Sequence, residues 1–141
     1  MHIAKDEKEF LKAEKIRELL HKYCSFMPYE IYLNPTGKDD KPVNTTFPLY
    51  LKQPKECTDE EYKSFYRETF SDFNEPLFWI HLNMEYPFRL KGILYFPKVK
   101  KQVELERGKV KLYCNQVYIA DNIKEVIPEF LMLLNGVIDC P

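Results

Sequence analysis

Residues 76–97, PLFWIHLNMEYPFRLKGILYFP, decide how this chain is read. Along an extended backbone Phe78, Ile80, Leu82 and Met84 fall on one side, and Trp79, His81, Asn83 and Glu85 on the other. Sustained period-two alternation is the mark of a strand. Tyr86-Pro87 interrupts it with a turn, and RLKGILYFP returns as a second strand that ends at Pro97. A hairpin in mid-chain makes a sheet the central element, so the flanking segments must extend that sheet or cover it.

Immediately before the hairpin, TDEEYKSFYRETFSDF (residues 58–73) reads as a helix. Thr58 and Glu61 have capping-box spacing, and Asp59 and Glu60 suit the positive end of the helix dipole. Tyr62, Phe65, Tyr66 and Thr69 share one face. Residues 34–57 are rich in turn formers, with Pro35, Gly37, Pro42, Pro48 and Pro54. They predict a loop with a brief extended piece at Asn44–Thr46. The aromatic corner Phe47-Pro48-Leu49-Tyr50 is either exposed or the cap of a small satellite core. Residues 5–24 form a further amphipathic helix with the stripe Phe10, Ala13, Ile16, Leu20 and Tyr23. It stops before Pro28, and Tyr29, Ile31 and Leu33 then alternate like a short strand.

After the hairpin, residues 98–108 form a charged connection. KVKLYCNQVYIAD, residues 109–121, reads as one long strand whose apolar phase shifts near Asn115-Gln116, which predicts a bulge or bend. NIKEVIPEFLMLLNG (residues 122–136) is helical, with Pro128 suited to a first turn and Gly136 to the position just past the end. Val137–Asp139 supplies a final strand. The fold class is α+β: a mixed, mainly antiparallel sheet packed with helices.

The length of 141 residues fits one domain, spanning 1–141. Aromatics at 15% favour a sheet-rich core or an aromatic contact surface. A formal net charge of -1 leaves no global field for nucleic acid or anionic lipid. No apolar run approaches a membrane span, and no signal-peptide pattern opens the chain. Cys24, Cys57, Cys114 and Cys140 are scattered without a close Cys or His pair, which argues for reduced thiols in a cytoplasmic protein and against zinc.

Three candidates for chemistry remain. His81 lies four residues before Glu85 on one strand face, the spacing of an acid–base pair or of half a metal site; the same pattern serves a polar stripe facing solvent or a helix. Cys114 would need His81 as its base, but the two fall on opposite faces. The basic stretch Lys98–Lys111 holds six cations and two Glu, too little net charge for a nucleic-acid patch. It reads as a solvated loop or as a charge-guided protein contact. No glycine pattern cradles phosphate. No catalytic, cofactor or metal set emerges. The contact candidates are Phe47, Leu49, Tyr50, Lys98, Lys100 and Lys101, and the residues describe a module that works through its surfaces.

Five phrases together resemble one family: EFLKAEKIRELLHKYCSFMPYEIYL, TDEEYKSFYRETFSDFNEPLFWIHLN, LKGILYFPK, VKLYCNQVYIAD and IPEFLMLLNGVID. They are similar, in order and over nearly the whole chain, to the middle segment of the ninety-kilodalton heat-shock chaperones, closest to the bacterial branch. The resemblance implies a fold like the second domain (ribosomal protein S5 domain 2-like) of GHKL-type ATPases such as gyrase and MutL. It implies that this chain is the large N-terminal part of the middle segment of a dimeric, ATP-driven chaperone. That parent would bind ATP with magnesium in an N-terminal domain, dimerise through a C-terminal one, and hold unfolded or partly folded clients, with no nucleic acid and no membrane as partner. The family usually has PLW where this chain has Pro48-Leu49-Tyr50, and its Trp is linked to client contact. A longer aromatic loop of eukaryotic members corresponds here to the short, charged stretch Lys98–Gly108. His81 matches a common family His with no catalytic role. The family's catalytic Arg, in a loop of the form L-N-x-S-R after GVID, has no match here; Arg17, Arg67, Arg89 and Arg107 lie in other segments. The chain itself is therefore expected to bind no cofactor and turn over no ATP. The alternatives are a stand-alone α+β protein-interaction module without a chaperone role and a His81–Glu85 or thiol hydrolase.

Overall fold

The structure is a computed structural model that describes residues 12–33, 41–87, 89–98, 109–121 and 134–141. The chain divides into two compact units, Met1–Phe47 with Gln116–Tyr118, and Pro48–Asn115 with Ile119–Pro141.

In the first unit helix α1 runs from Ala13 to Tyr23. It is the predicted amphipathic helix; the earlier turns expected for it lie outside the described residues. No residue of α1 is fully buried. Beyond it the expected strand at Tyr29–Leu33 does not form, because a side chain takes over the hydrogen bonding that a neighbouring strand would supply. Buried Asn44 accepts from the Ile31 amide at 2.8 Å and donates to the carbonyls of Met27 and Tyr29 at 2.9 and 2.7 Å. The Val43 amide donates to Ile31 O at 2.8 Å, and the Thr45 amide to Ser25 O at 2.7 Å. One amide side chain thus pins a turn-rich segment that has no ladder of its own.

The second unit is built on a sheet. Strands β1 (Phe78–Met84) and β2 (Leu90–Phe96) form the predicted antiparallel hairpin, in the register Phe78↔Phe96 to Met84↔Leu90. The expected single strand at 109–121 is two, β3 (Val110–Cys114) and β4 (Val117–Asp121), of which Val117 and Tyr118 are grouped with the first unit. Asn115 and Gln116 link them with φ of 48° and 67°, the left-handed pair that a tight two-residue reversal demands. The phase shift is therefore a turn rather than a bulge. Asn-Gly is the usual signature, and its absence hides the turn in the sequence. Strand β5 (Asn135–Asp139) enters the middle, giving the order β1-β2-β5-β3-β4. It runs antiparallel to β2 and parallel to β3, so the sheet is mixed.

Gly136 is not a helix terminator. It is the second residue of β5, has no positive φ, and the helix expected before it falls largely outside the described residues. Its small size serves packing: a Cβ there would sit 3.0 Å from the Ile93 carbonyl oxygen. The constraint is tighter at Gly92, where a Cβ would collide with the Val137 carbonyl oxygen and come within 3.1 Å of Ile138 Cα. Two glycines let β2 and β5 approach at the centre of the sheet.

Helix α2 (Asp59–Phe70) covers one face. The predicted capping box is present: the Glu61 amide donates to Thr58 Oγ1 at 3.3 Å, and the Thr58 amide to Glu61 Oε2 at 2.9 Å. Tyr62, Phe65 and Tyr66 point inward and are buried. Against them the sheet presents Trp79 and His81 of β1, Ile93 and Tyr95 of β2, and Asn135, Val137 and Asp139 of β5. The alternating row Phe78, Ile80, Leu82 and Met84 lies on the other face; Phe78, Ile80 and Met84 are exposed and Leu82 is half-buried. On the edge strand the more polar row faces the helix.

Because the Gly92 clash is with backbone, which cannot swing away, Gly92→Ala is expected to cost at least about 2 kcal/mol, toward the upper end of overpacking penalties. Urea unfolding followed by circular dichroism measures it.

Candidate functional site

The sequence candidates separate in space. His81 is half-buried beneath α2, and its partners are not Glu85, which is exposed. Its Nε2 lies 3.3 Å from Tyr50 O and its Nδ1 2.7 Å from the Tyr62 hydroxyl. A carbonyl can only accept, so Nε2 carries the proton and Nδ1 accepts from Tyr62. Burial lowers the imidazole pKa, opposed by the bond to Tyr50 O. His81 is a neutral bridge between the Leu49–Leu51 turn, α2 and β1, the helix-facing alternative of the sequence reading. Cys114 follows Tyr113, which pairs with Asp139 on the α2 side, so its own side chain belongs to the opposite face. It is also three strand spacings from β1, about 14 Å. A thiol–imidazole pair cannot assemble.

Of the two alternatives for the aromatic corner, burial holds for Leu49 and Tyr50 and exposure for Phe47. Leu49 and Tyr50 lie in a short 3-10 turn, Leu49–Leu51, and are buried, Tyr50 to 0% exposure. Only Phe47 is open, at 60%. The Tyr50 hydroxyl donates to the buried Asp139 carboxylate at 3.1 Å, and its ring meets Phe65 edge-on. Burial and that carboxylate both push the phenol pKa well up. Lys98 is exposed; Lys100 and Lys101 lie outside the described residues.

A cluster that the sequence did not single out lies between α2 and the sheet. The Tyr95 hydroxyl donates to Tyr62 O at 3.0 Å. The Tyr66 hydroxyl donates to Asp72 at 2.9 Å and accepts from Asn135 Nδ2 at 2.9 Å. Burial, with Asp72 beside it, raises Tyr66 to about 12 although Asn135 pulls it down. Lys111 crosses from β3 to donate to Thr69 O at 2.8 Å, with its ammonium 5.5 Å from the Phe70 ring centre. A cation on the last carbonyls of a helix satisfies them and complements the dipole. The only early hint was composition, the wealth of tyrosine in and around α2. Each of these groups is engaged in packing; together they form a polar seam.

A family profile described as Hsp90 protein matches residues 34–141. This chain belongs to the Hsp90 family. Among its relatives, the chaperone protein HtpG of Bacteroides fragilis is 50% identical over 151 aligned residues, covering 100% of this chain and 22% of its own length. HtpG of Porphyromonas gingivalis is 49% identical with the same coverage. A solved structure described as the middle domain of a Plasmodium falciparum heat shock protein superposes with a TM-score of 0.56 at 33% identity, over 66% of this chain and 39% of that one. The chain spans about a fifth of the length of the curated Hsp90 relatives named here.

Two outcomes test the seam. Tyr50→Phe removes the hydroxyl that Asp139 accepts, and is expected to cost about 1.5–3 kcal/mol, as for a hydrogen bond to a charged group; chemical denaturation reads it. For His81, the unfolded chain takes up its proton near pH 6.5 and the folded chain only at lower pH. Stability is therefore fully present above that value, declines as pH falls through the window, and levels off below the folded pKa. In His81→Gln this part of the stability profile, measured between pH 5 and 8, should be flat.

Proposed function

We propose that this chain is the large N-terminal part of the middle segment of an ATP-dependent chaperone, serving as scaffold and client contact. The observation that carries the reading is the 50% identity to HtpG across the full chain. The site geometry supports it: His81, Tyr62 and Tyr50 are spent on internal bonds. In this reading ATP and magnesium bind elsewhere in the longer protein, the γ-phosphate-contacting Arg lies outside these 141 residues, and this chain hydrolyses nothing. N-terminal ATPase and C-terminal dimerisation domains are its partners in the same polypeptide, and partly folded proteins in the cytoplasm are its clients. No helix among the described residues is long and apolar enough to cross a membrane. Client contact rests on Phe47 with Lys98, Lys100 and Lys101; Leu49 and Tyr50 serve the core instead.

The experiment has two arms. The purified chain with ATP and magnesium should release no phosphate above the blank; turnover would overturn the division of labour. In the longer chaperone, Phe47→Ala should weaken binding of an unfolded client several-fold in fluorescence anisotropy, and unchanged affinity would remove Phe47 from the contact surface.

A further inference from the structure

Strand β1 lies at one end of the sheet, and among the described residues it pairs only with β2. An edge strand presents a row of backbone donors and acceptors to any extended segment that meets it, and proteins normally blunt such a row with Lys, Pro or a bulge. β1 carries none of these. From Leu77 to Met84 it has no charged side chain and no proline, and its register with β2 runs unbroken through seven residues. Its outer row is apolar and largely open: Phe78, Ile80 and Met84 are 50%, 44% and 40% exposed, Leu77 just before them is 61% exposed, Leu82 is half-buried, and Phe78 stacks on Phe96 of β2 with ring centres 4.0 Å apart. Its inner row is tied down, with His81 on Tyr50 O and Tyr62, and Asn83 donating to Gln53 at 3.2 Å. The strand is held rigidly from behind while its free edge and outer row stay available.

We infer that β1 captures an extended, uncharged apolar segment of another polypeptide by strand addition. Backbone pairing supplies affinity without reading sequence, and alternate apolar side chains of the incoming segment extend the row Phe78, Ile80, Met84. The occupant follows from charge: an uncharged edge offers a charged segment nothing and desolvates it. Such segments are what a partly folded client exposes, so the inference rests on the chaperone reading and specifies how that reading works at one surface.

The test uses the 141-residue chain and a fluorescein-labelled, capped nine-residue peptide of alternating valine and threonine. Saturable binding in anisotropy is expected, with slowed amide exchange at Phe78–Met84. Methylating alternate peptide amides, so that one edge cannot pair, should weaken binding at least tenfold. Ile80→Lys and Met84→Lys, both at exposed positions, should each do the same with unchanged circular dichroism, whereas Ile119→Lys on β4 should have no effect. Absence of binding at millimolar peptide, or equal affinity of the methylated peptide or of Ile80→Lys, overturns strand addition. So does a dimer in sedimentation that Ile80→Lys dissolves, since a second copy would then own the edge. The two readings fail separately. A longer chaperone that suppresses aggregation although the edge binds no peptide removes only the edge; an edge that binds peptide in a protein without aggregation suppression removes only the chaperone reading.

Discussion

Burying tyrosines between a helix and a sheet is possible only if every hydroxyl finds a partner away from water. Tyr50, Tyr62, Tyr66 and Tyr95 all sit in that layer, and this single requirement organises the second unit. It explains why Asp139 and His81 lie inside rather than on the surface, and why Asn135 reaches Tyr66. It also explains why β1 turns its more polar row toward α2. Remove the hydroxyl partners and the layer becomes a set of buried, unsatisfied phenols, each costing about as much as one or two good apolar contacts contribute. The rings themselves pack by tilted, edge and, for Tyr62 on Trp79, stacked contacts, with Tyr66 and Tyr95 centred 4.9 Å apart, so shape and hydrogen bonding reinforce one another.

Around this layer the backbone makes two further accommodations. Gly92 and Gly136 let β2 and β5 close up at the sheet centre, which puts Val137 and Asp139 against α2. Lys111 brings charge to the end of the helix from a neighbouring strand. Its ammonium is half-buried, and burial, with Lys109 nearby, lowers its pKa. The same economy leaves the other face of β1 without partners in this layer. An inner row committed to hydrogen bonds and an outer row of Phe78, Ile80 and Met84 are two sides of one alternation, so burying one exposes the other.

Legibility in the sequence follows the range of the interactions. The capping box of Thr58 and Glu61 is local, three residues apart, and was read correctly, as were the hairpin and the mixed α+β class. The reversal at Asn115-Gln116 is also local, but neither residue is glycine, so the chain spells a turn with unusual letters. The segment Tyr29–Leu33 has strand alternation and no strand, because Asn44, more than ten residues away, captures its backbone. The prolines around Leu49 and Tyr50 leave exposure and burial both open; Tyr50 is fixed inside by its bond to Asp139, 89 residues on. The resemblance to Hsp90 was legible because it is carried by whole phrases, whereas the polar seam is assembled from single residues in six elements.

The family, the fold class, α2 with its cap, and the β1–β2 hairpin are each encoded in contiguous residues whose propensities and spacing agree. Long-range contacts set which face of β1 is the core, bring β5 into the sheet centre, and make Tyr50 an internal strut. Alternation marks two faces but not which one is inside. That choice depends on where buried hydroxyls find acceptors, and those acceptors come from segments far apart in the chain.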